Sequence, residues 1–146
     1  MSEENKALLR RWCDDGFNKR NVELADELYD ADVFYHEPAA GELRGLTALK
    51  QFVSSWLAAF PDAQLKIEDQ IAEDDKVATR WTFVGTHRGN FRGITPTGKP
   101  VIMSAMYFYR MANGKIVEIR AMVDSLGLLR QLGAVPLLGQ AKDKAT

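Results

Sequence analysis

The polar side chains best suited to chemistry in this chain lie within or at the end of one stretch, Val77 to Asp124: His87, Tyr107, Arg120 and Asp124. A carboxylate or an imidazole can accept a proton from a substrate, and a guanidinium or a phenol can hold the negative charge that develops. Such work requires the groups to converge, and the pattern of the stretch offers a way for them to do so. It reads as three strands rich in β-branched and aromatic residues, with Asn113-Gly114 between the second and third. That dipeptide signals a two-residue hairpin, because a type I′ turn needs positive φ at both positions.

A loop at Asn113-Gly114 places Ala112 opposite Lys115, Tyr109 opposite Glu118, Tyr107 opposite Arg120 and Met103 opposite Asp124. The period of two then gathers Tyr107, Tyr109, Arg120, Met122 and Asp124 on one face. Met106, Phe108, Val117, Ile119, Ala121 and Val123 fall on the other. If Trp81 lies opposite Tyr107, then Trp81, Phe83 and His87 join the mixed face, although the long loop from Arg88 to Pro100 does not fix that register. The mixed face is expected to line a small-molecule cavity, since ligand sites are mostly apolar with a few placed polar groups. A sheet this apolar on both faces is expected to be covered by its own helices on one side and by another subunit on the other.

The rest of the chain supplies the supporting elements. Residues 3–19 read as a helix with Leu8, Leu9, Trp12, Cys13 and Phe17 at helical spacing. Asn21 is placed to cap a short second helix through Tyr29. Asp32 to Pro38 (DVFYHEP) reads as a short strand, and Ala39 to Gly45 as a loop. An apolar stripe from Leu46 to Phe60 marks a third helix ending before Pro61. Asp62 to Ile71 alternates as a strand, and LGLLRQL reads as a last short helix stopped by Gly133. Helices followed by antiparallel strands give an α+β class: a single domain with a curved, mostly antiparallel sheet wrapped around N-terminal helices, ordered to about residue 136 with a frayed tail beyond. Trp56 and Phe60 read as core. Trp12 and Phe17 read as cavity wall, and His36 either serves the turn before Pro38 or lines the cavity.

Composition excludes several classes. A net charge of −1 argues against nucleic acid or an anionic membrane as partner. The lone Cys13 precludes an intrachain disulfide and reads as a packed thiol. No apolar run reaches the roughly 18 residues of a membrane span, and the polar MSEENK start is unlike a signal peptide, so a cytoplasmic protein is expected. His36, His87 and Asp124 match no metal-ligand spacing, and the glycines match no phosphate-binding pattern. No cofactor or metal is expected.

The order of elements resembles the nuclear transport factor 2-like cone. The segments GTHRGNFRGITPTGK, YRMANGKIVE and DSLGLLRQLG resemble the SnoaL-like polyketide cyclase (ester cyclase) family over about Leu9 to Gly133. The resemblance implies a hydrophobic small-molecule cavity and ring closure by intramolecular aldol condensation on a polyketide ester, without metal or organic cofactor. It further implies Asp124 as the acid–base residue. The family's second catalytic group is a histidine on the preceding strand, where this chain has Tyr107, Tyr109 and Arg110. On this expectation Asp124 and His87 do the acid–base work. Arg120, Tyr107, Trp81, His36, Trp12, Phe17, Met122 and Met103 bind substrate. Plainer roles stand beside these: Asp124 as cap of the last helix, His87 as a strand-end histidine bonded to backbone, and Arg120 as a cross-strand partner of an aromatic ring. Two other activities suit the same cavity. One is simple binding of a hydrophobic small molecule. The other is isomerase or epoxide-hydrolase chemistry, which needs a second buried carboxylate, with Glu118 the nearest candidate. A homo-oligomer, dimer or tetramer, formed through the open sheet face is expected.

Overall fold

The computed structural model of the chain describes residues 2–135; the tail expected to fray, 137–146, lies outside the described residues. Six strands form one sheet: β1 (Tyr29–Glu37), β2 (Gly41–Arg44), β3 (Gln64–Glu73), β4 (Lys76–Thr86), β5 (Pro100–Ala112) and β6 (Lys115–Val123), in the order β2-β1-β6-β5-β4-β3. β1 runs parallel to β6, and the other neighbours are antiparallel. The helices are α1 (Ser2–Arg11), α2 (Ala25–Leu28), α3 (Leu46–Ala59) and α4 (Ser125–Gln131). The class is α+β, a curved, mostly antiparallel sheet with one face wrapped around helices. Among the described residues no helix is long and apolar enough to cross a membrane.

Three local readings are corrected. The first helix does not continue in α form to residue 19: it widens into a π-helical turn over Trp12–Phe17. Gly16 permits this, because a Cβ there would sit 2.3 Å from Trp12 Cε3. Asn21 makes no side-chain capping bond, and a 3-10 turn (Val22–Leu24) precedes the short α2. The segment read as a loop at 39–45 contains β2, which pairs back on β1.

The helix layer is tied to the edge of the sheet by Asn18. Its side-chain amide donates to the Leu65 carbonyl (2.9 Å) and its oxygen accepts from Leu65 N–H (2.8 Å), as a neighbouring strand would.

The expected hairpin forms, with Asn113 at φ 54° and Gly114 at φ 74°, and Ala112 faces Lys115. Beyond it the register departs from expectation. Met111 pairs with Ile116 but Arg110 pairs with Glu118, so Val117 is an extra residue in β6, a bulge. Tyr109 therefore faces Ile119, Tyr107 faces Ala121, and Arg120 lies opposite Phe108. A one-residue slip turns over every later side chain. Ile119 and Ala121 are buried beside the tyrosines, while Arg120 and Met122 turn out to the far face with Met106 and Phe108. Trp81 pairs with Ala105 rather than Tyr107, yet it stays on the inner face with its ring 6.3 Å from that of Tyr107. The far face leaves Ile102, Met106, Phe108 and Met122 exposed.

The segment after β4 packs hard on the end of α3. Arg88 N–H and Gly89 N–H both donate to the Ala59 carbonyl at 3.0 Å, satisfying a helix-terminal acceptor. A Cβ at Gly89 would lie 2.1 Å from the Ala58 carbonyl oxygen, a backbone atom with little freedom to yield. Gly89→Ala is expected to destabilise the fold by about 1–3 kcal/mol, read as a lower urea midpoint. An unchanged midpoint would show that the loop gives way to the added methyl group.

Candidate active site

Between the inner face of the sheet and the helix layer lies a cavity in which the centre of a water molecule can move through about 90 Å³. A single water needs roughly 10–15 Å³ by that measure, so the space admits a group of several heavy atoms. Its walls are apolar and largely aromatic: Trp12 and Phe17 from the π turn, Leu49, Phe52, Val53 and Trp56 from α3, and Trp81, Phe83, Met103, Ala105, Ile119 and Val123 from the sheet.

Into this space project four tyrosines and one carboxylate, Tyr29, Tyr35, Tyr107, Tyr109 and Glu37. Strand β1 supplies three of them, Tyr29, Tyr35 and Glu37. At its end Val33, Tyr35 and Glu37 are buried, while Phe34 and His36 alternate to the outer side. The Tyr35 and Tyr107 hydroxyls lie 3.4 Å apart, and Trp81 Nε1–H donates to the Tyr109 hydroxyl at 3.1 Å. Burial raises the pKa of Tyr35, Tyr107 and Tyr109 above the ordinary phenol value. The charge of Glu37 raises Tyr35 and Tyr107 further, which places its carboxylate within electrostatic reach of that hydroxyl pair. All three remain neutral phenols at physiological pH, able to donate a hydrogen bond to a developing anion.

Glu37 is 1% exposed. Its Oε2 accepts from Ala39 N–H at 2.7 Å, while Oε1 makes no hydrogen bond. The Arg92 Nη2 atom lies 3.8 Å from Oε1, an ion-pair distance but too long for a hydrogen bond. A buried carboxylate oxygen with an unused lone pair beside an apolar cavity is a candidate proton acceptor. On sequence grounds His36 is a candidate cavity residue, whereas its neighbour Glu37 is passed over. The signal was available in the V-Y-E alternation of DVFYHE, which sets Glu37 on the same side as two apolar residues.

Five of the expected site residues line the cavity: Tyr107, Trp81, Trp12, Phe17 and Met103. Five lie elsewhere. Asp124 is exposed, and its Oδ1 accepts from Gly127 N–H (2.9 Å) as the N-cap of α4. His87 is fully buried, but at the base of the 88–99 loop: Thr97 N–H donates to Nδ1 at 3.1 Å, and Nε2 has no hydrogen-bond partner. Arg120 and Met122 are turned outward by the bulge, Arg120 bonding Glu118 at 3.1 Å. His36 lies on the outer side, stacked on Phe34 and 4.0 Å from Glu42. The second carboxylate expected at Glu118 is also outside, held below the usual carboxylate range by a hydrogen bond from Arg110 and by Arg120. Among the described residues no three His, Cys, Asp or Glu side chains come together as a metal site.

The family profile described as SnoaL-like polyketide cyclase matches residues 7–132. The chain belongs to that family. Solved structures with this fold include AclR, a candidate hydroxylase from Streptomyces galilaeus, at 28% identity and TM-score 0.84, covering 100% of this chain and 95% of its own. IdmH, a candidate polyketide cyclase from Streptomyces antibioticus, matches at 28% identity and TM-score 0.78, covering 88% and 98%. A candidate polyketide cyclase from Acidithiobacillus ferrooxidans matches at 26% identity and TM-score 0.78, covering 91% and 96%. Comparison with curated proteins found no match.

One nucleophile-bearing side chain of this SnoaL-like domain sits just behind the cavity wall. Cys13 is buried, donates to the Leu65 carbonyl at 3.3 Å, and has its pKa pushed up to about 12 by burial and by the neighbouring charge of Asp14. A thiol held that far from ionisation does not act as a nucleophile near neutrality. Alkylation by iodoacetamide at pH 8 is expected to run at least ~100-fold slower in the folded protein than in urea. Comparable rates in the two states would mean that the thiol is open to solvent.

Proposed function

We propose that this protein is a cofactor-independent acid–base enzyme of polyketide-cyclase type, and that Glu37, not Asp124, is its base. The reaction is an intramolecular aldol closure of a hydrophobic substrate. Glu37 Oε1 removes a proton from a carbon next to a carbonyl, the C–H electron pair becomes the enolate, and the enolate carbon bonds to a second carbonyl carbon of the same molecule. The new alkoxide takes the proton back from Glu37. The phenols of Tyr35, Tyr107 and Tyr109 donate to the oxygens that bear charge, and the aromatic walls keep the substrate folded and water out.

The observation that carries this reading is a 1%-exposed carboxylate whose Oε1 accepts no hydrogen bond, lining the same apolar cavity as neutral tyrosine hydroxyls. Membership of the cyclase family supports the reaction class. Asp124 spends an oxygen on Gly127 N–H and is exposed, which suits a helix cap.

Turnover of an aryl polyketide methyl ester, followed by absorbance, tests the assignment. Glu37→Gln is expected to lower kcat by at least ~10²-fold while the ester still raises the melting temperature. Asp124→Asn, which can still accept from Gly127 N–H, is expected to stay within a few-fold of wild type. The reverse pattern would return the base to Asp124. Thermal stabilisation by the ester without turnover in the wild type would reduce the protein to a binder.

We further propose that a second copy of the chain covers the far face of the sheet, where Ile102, Met106, Phe108 and Met122 are 60–65% exposed. Cross-strand ion pairs (Arg80–Asp69 at 2.7 Å, Arg110–Glu118 at 3.1 Å) share that face, giving both signs of charge for a self-complementary contact. Light scattering is expected to give twice the 16.4 kDa chain mass, falling to the single mass in Phe108→Glu. A monomer at micromolar concentration overturns the proposal.

A further inference from the structure

The loop between β4 and β5 carries a tight turn at its tip. Phe91 N–H donates to the Ile94 carbonyl (3.0 Å) and Ile94 N–H donates back to Phe91 (2.8 Å), with Arg92 at φ 49° and Gly93 at φ 85° between them. Positive φ at both central residues is the pattern that asparagine and glycine occupy without strain. Arginine in this region is uncommon, so the turn itself gives no reason for a guanidinium here.

The side chain is held by what it touches. Its guanidinium lies 4.9 Å from the centre of the Phe91 ring and 5.8 Å from that of Trp56, and Nη2 is 3.8 Å from Glu37 Oε1. Trp56 and Glu37 both line the cavity, whereas Arg92 is 36% exposed. The guanidinium therefore stands at the cavity's rim, between the buried carboxylate and solvent.

We propose that Arg92 is a catalytic residue that holds the enolate oxygen, and that Glu37 and Arg92 together select substrates with an acidic carbon directly beside a carbonyl. The proposal rests on the reading of Glu37 as base. At 3.8 Å neither group uses its hydrogen-bonding capacity on the other, and the gap suits a substrate that engages both. The oxygen of a carbonyl and the carbon next to it are about 2.4 Å apart by standard bond lengths. A carboxylate oxygen can thus meet the C–H while a guanidinium N–H meets the oxygen. As the proton moves to Oε1, the C–H pair forms the enolate double bond and the carbonyl π pair passes to oxygen, where the fixed positive charge stabilises it. Arg92 keeps its proton throughout.

Two measurements test this, and asparagine is the replacement because the turn accepts it. With the aryl polyketide ester, Arg92→Asn is expected to lower kcat at least ~10²-fold with KM changed less than about threefold, and Arg92→Lys to recover part of the loss. A wild-type kcat in Arg92→Asn, with Glu37→Gln inactive, overturns the role of Arg92 and leaves the base in place.

The second measurement needs no turnover. In the Glu37→Gln background, the enolate of bound benzoylacetone, read by its ultraviolet absorption, is expected to form at a pH lower by about one unit than in Glu37→Gln/Arg92→Asn. Identical ionisation in the two overturns the proposal. If Glu37→Gln turns over the ester normally while this difference persists, Arg92 still binds the enolate oxygen, and only the assignment of the base has failed.

Discussion

The structure depends most on one extra residue. Val117 interrupts the pairing of β5 with β6, and its presence decides which side of β6 meets the cavity. Without it Glu118, Arg120 and Met122 would face inward and Ile119, Ala121 and Val123 would face the far side. Burying a guanidinium and a carboxylate costs several kcal/mol per ion even when they pair, whereas the observed arrangement buries Ile116, Ile119 and Ala121 and leaves the ion pairs wet. The bulge is thus the solution that satisfies hydrophobic burial and ionic solvation in the same strand. It also keeps the cavity apolar enough for a small number of polar groups to matter.

Within that cavity Glu37 is the costly element. A carboxylate at 1% exposure has lost its water, and the fold returns one hydrogen bond, from Ala39 N–H, and one cation at 3.8 Å. Its Oε1 makes no hydrogen bond in the folded chain. Buried polar groups are ordinarily satisfied, so an unsatisfied one marks either strain or a site for something that arrives later. Glu37 lines a cavity that it shares with neutral phenols and aromatic rings, and the second explanation accounts for more of these surroundings.

Much of the architecture was legible from the sequence because it rests on periodicity and turn chemistry. The stripe Leu46, Leu49, Val53, Trp56, Leu57 gave α3, Pro61 its end, and Asn113-Gly114 the hairpin. The site was less legible for two physical reasons. A bulge has no composition of its own: Val117 is a good strand residue, and nothing in KIVEIRAMV says that one position goes unpaired. Extrapolating an even alternation past it carried Arg120 and Met122 to the wrong face. The second reason is that a hydrogen-bond acceptor at a strand end has two uses. Asp124 precedes a helix, and the orphan N–H groups of that helix claim its carboxylate. His87 likewise spends its ring on Thr97 N–H. Glu37 was visible in the alternation of β1 but stood beside a histidine, the more familiar catalytic type.

His87 nonetheless bears on the site through the loop it holds. Its backbone accepts from Gly98 N–H (2.8 Å) and donates to Lys99 (3.0 Å), and its ring fixes Thr97, so both strands of the loop's base are pinned to one buried residue. From the same base, Arg88 and Gly89 anchor to the end of α3, the helix that carries Trp56. The loop tip is therefore positioned against the cavity wall from two directions, and Phe91 packs on Trp56 and Phe60 at ring distances of 5.0 and 5.5 Å. A guanidinium on a free loop would average over many positions and lose most of its value to rotamer entropy. Anchored this way, Arg92 is preorganised against Glu37, which is the condition under which a charged group stabilises a transition state more than it stabilises water around itself.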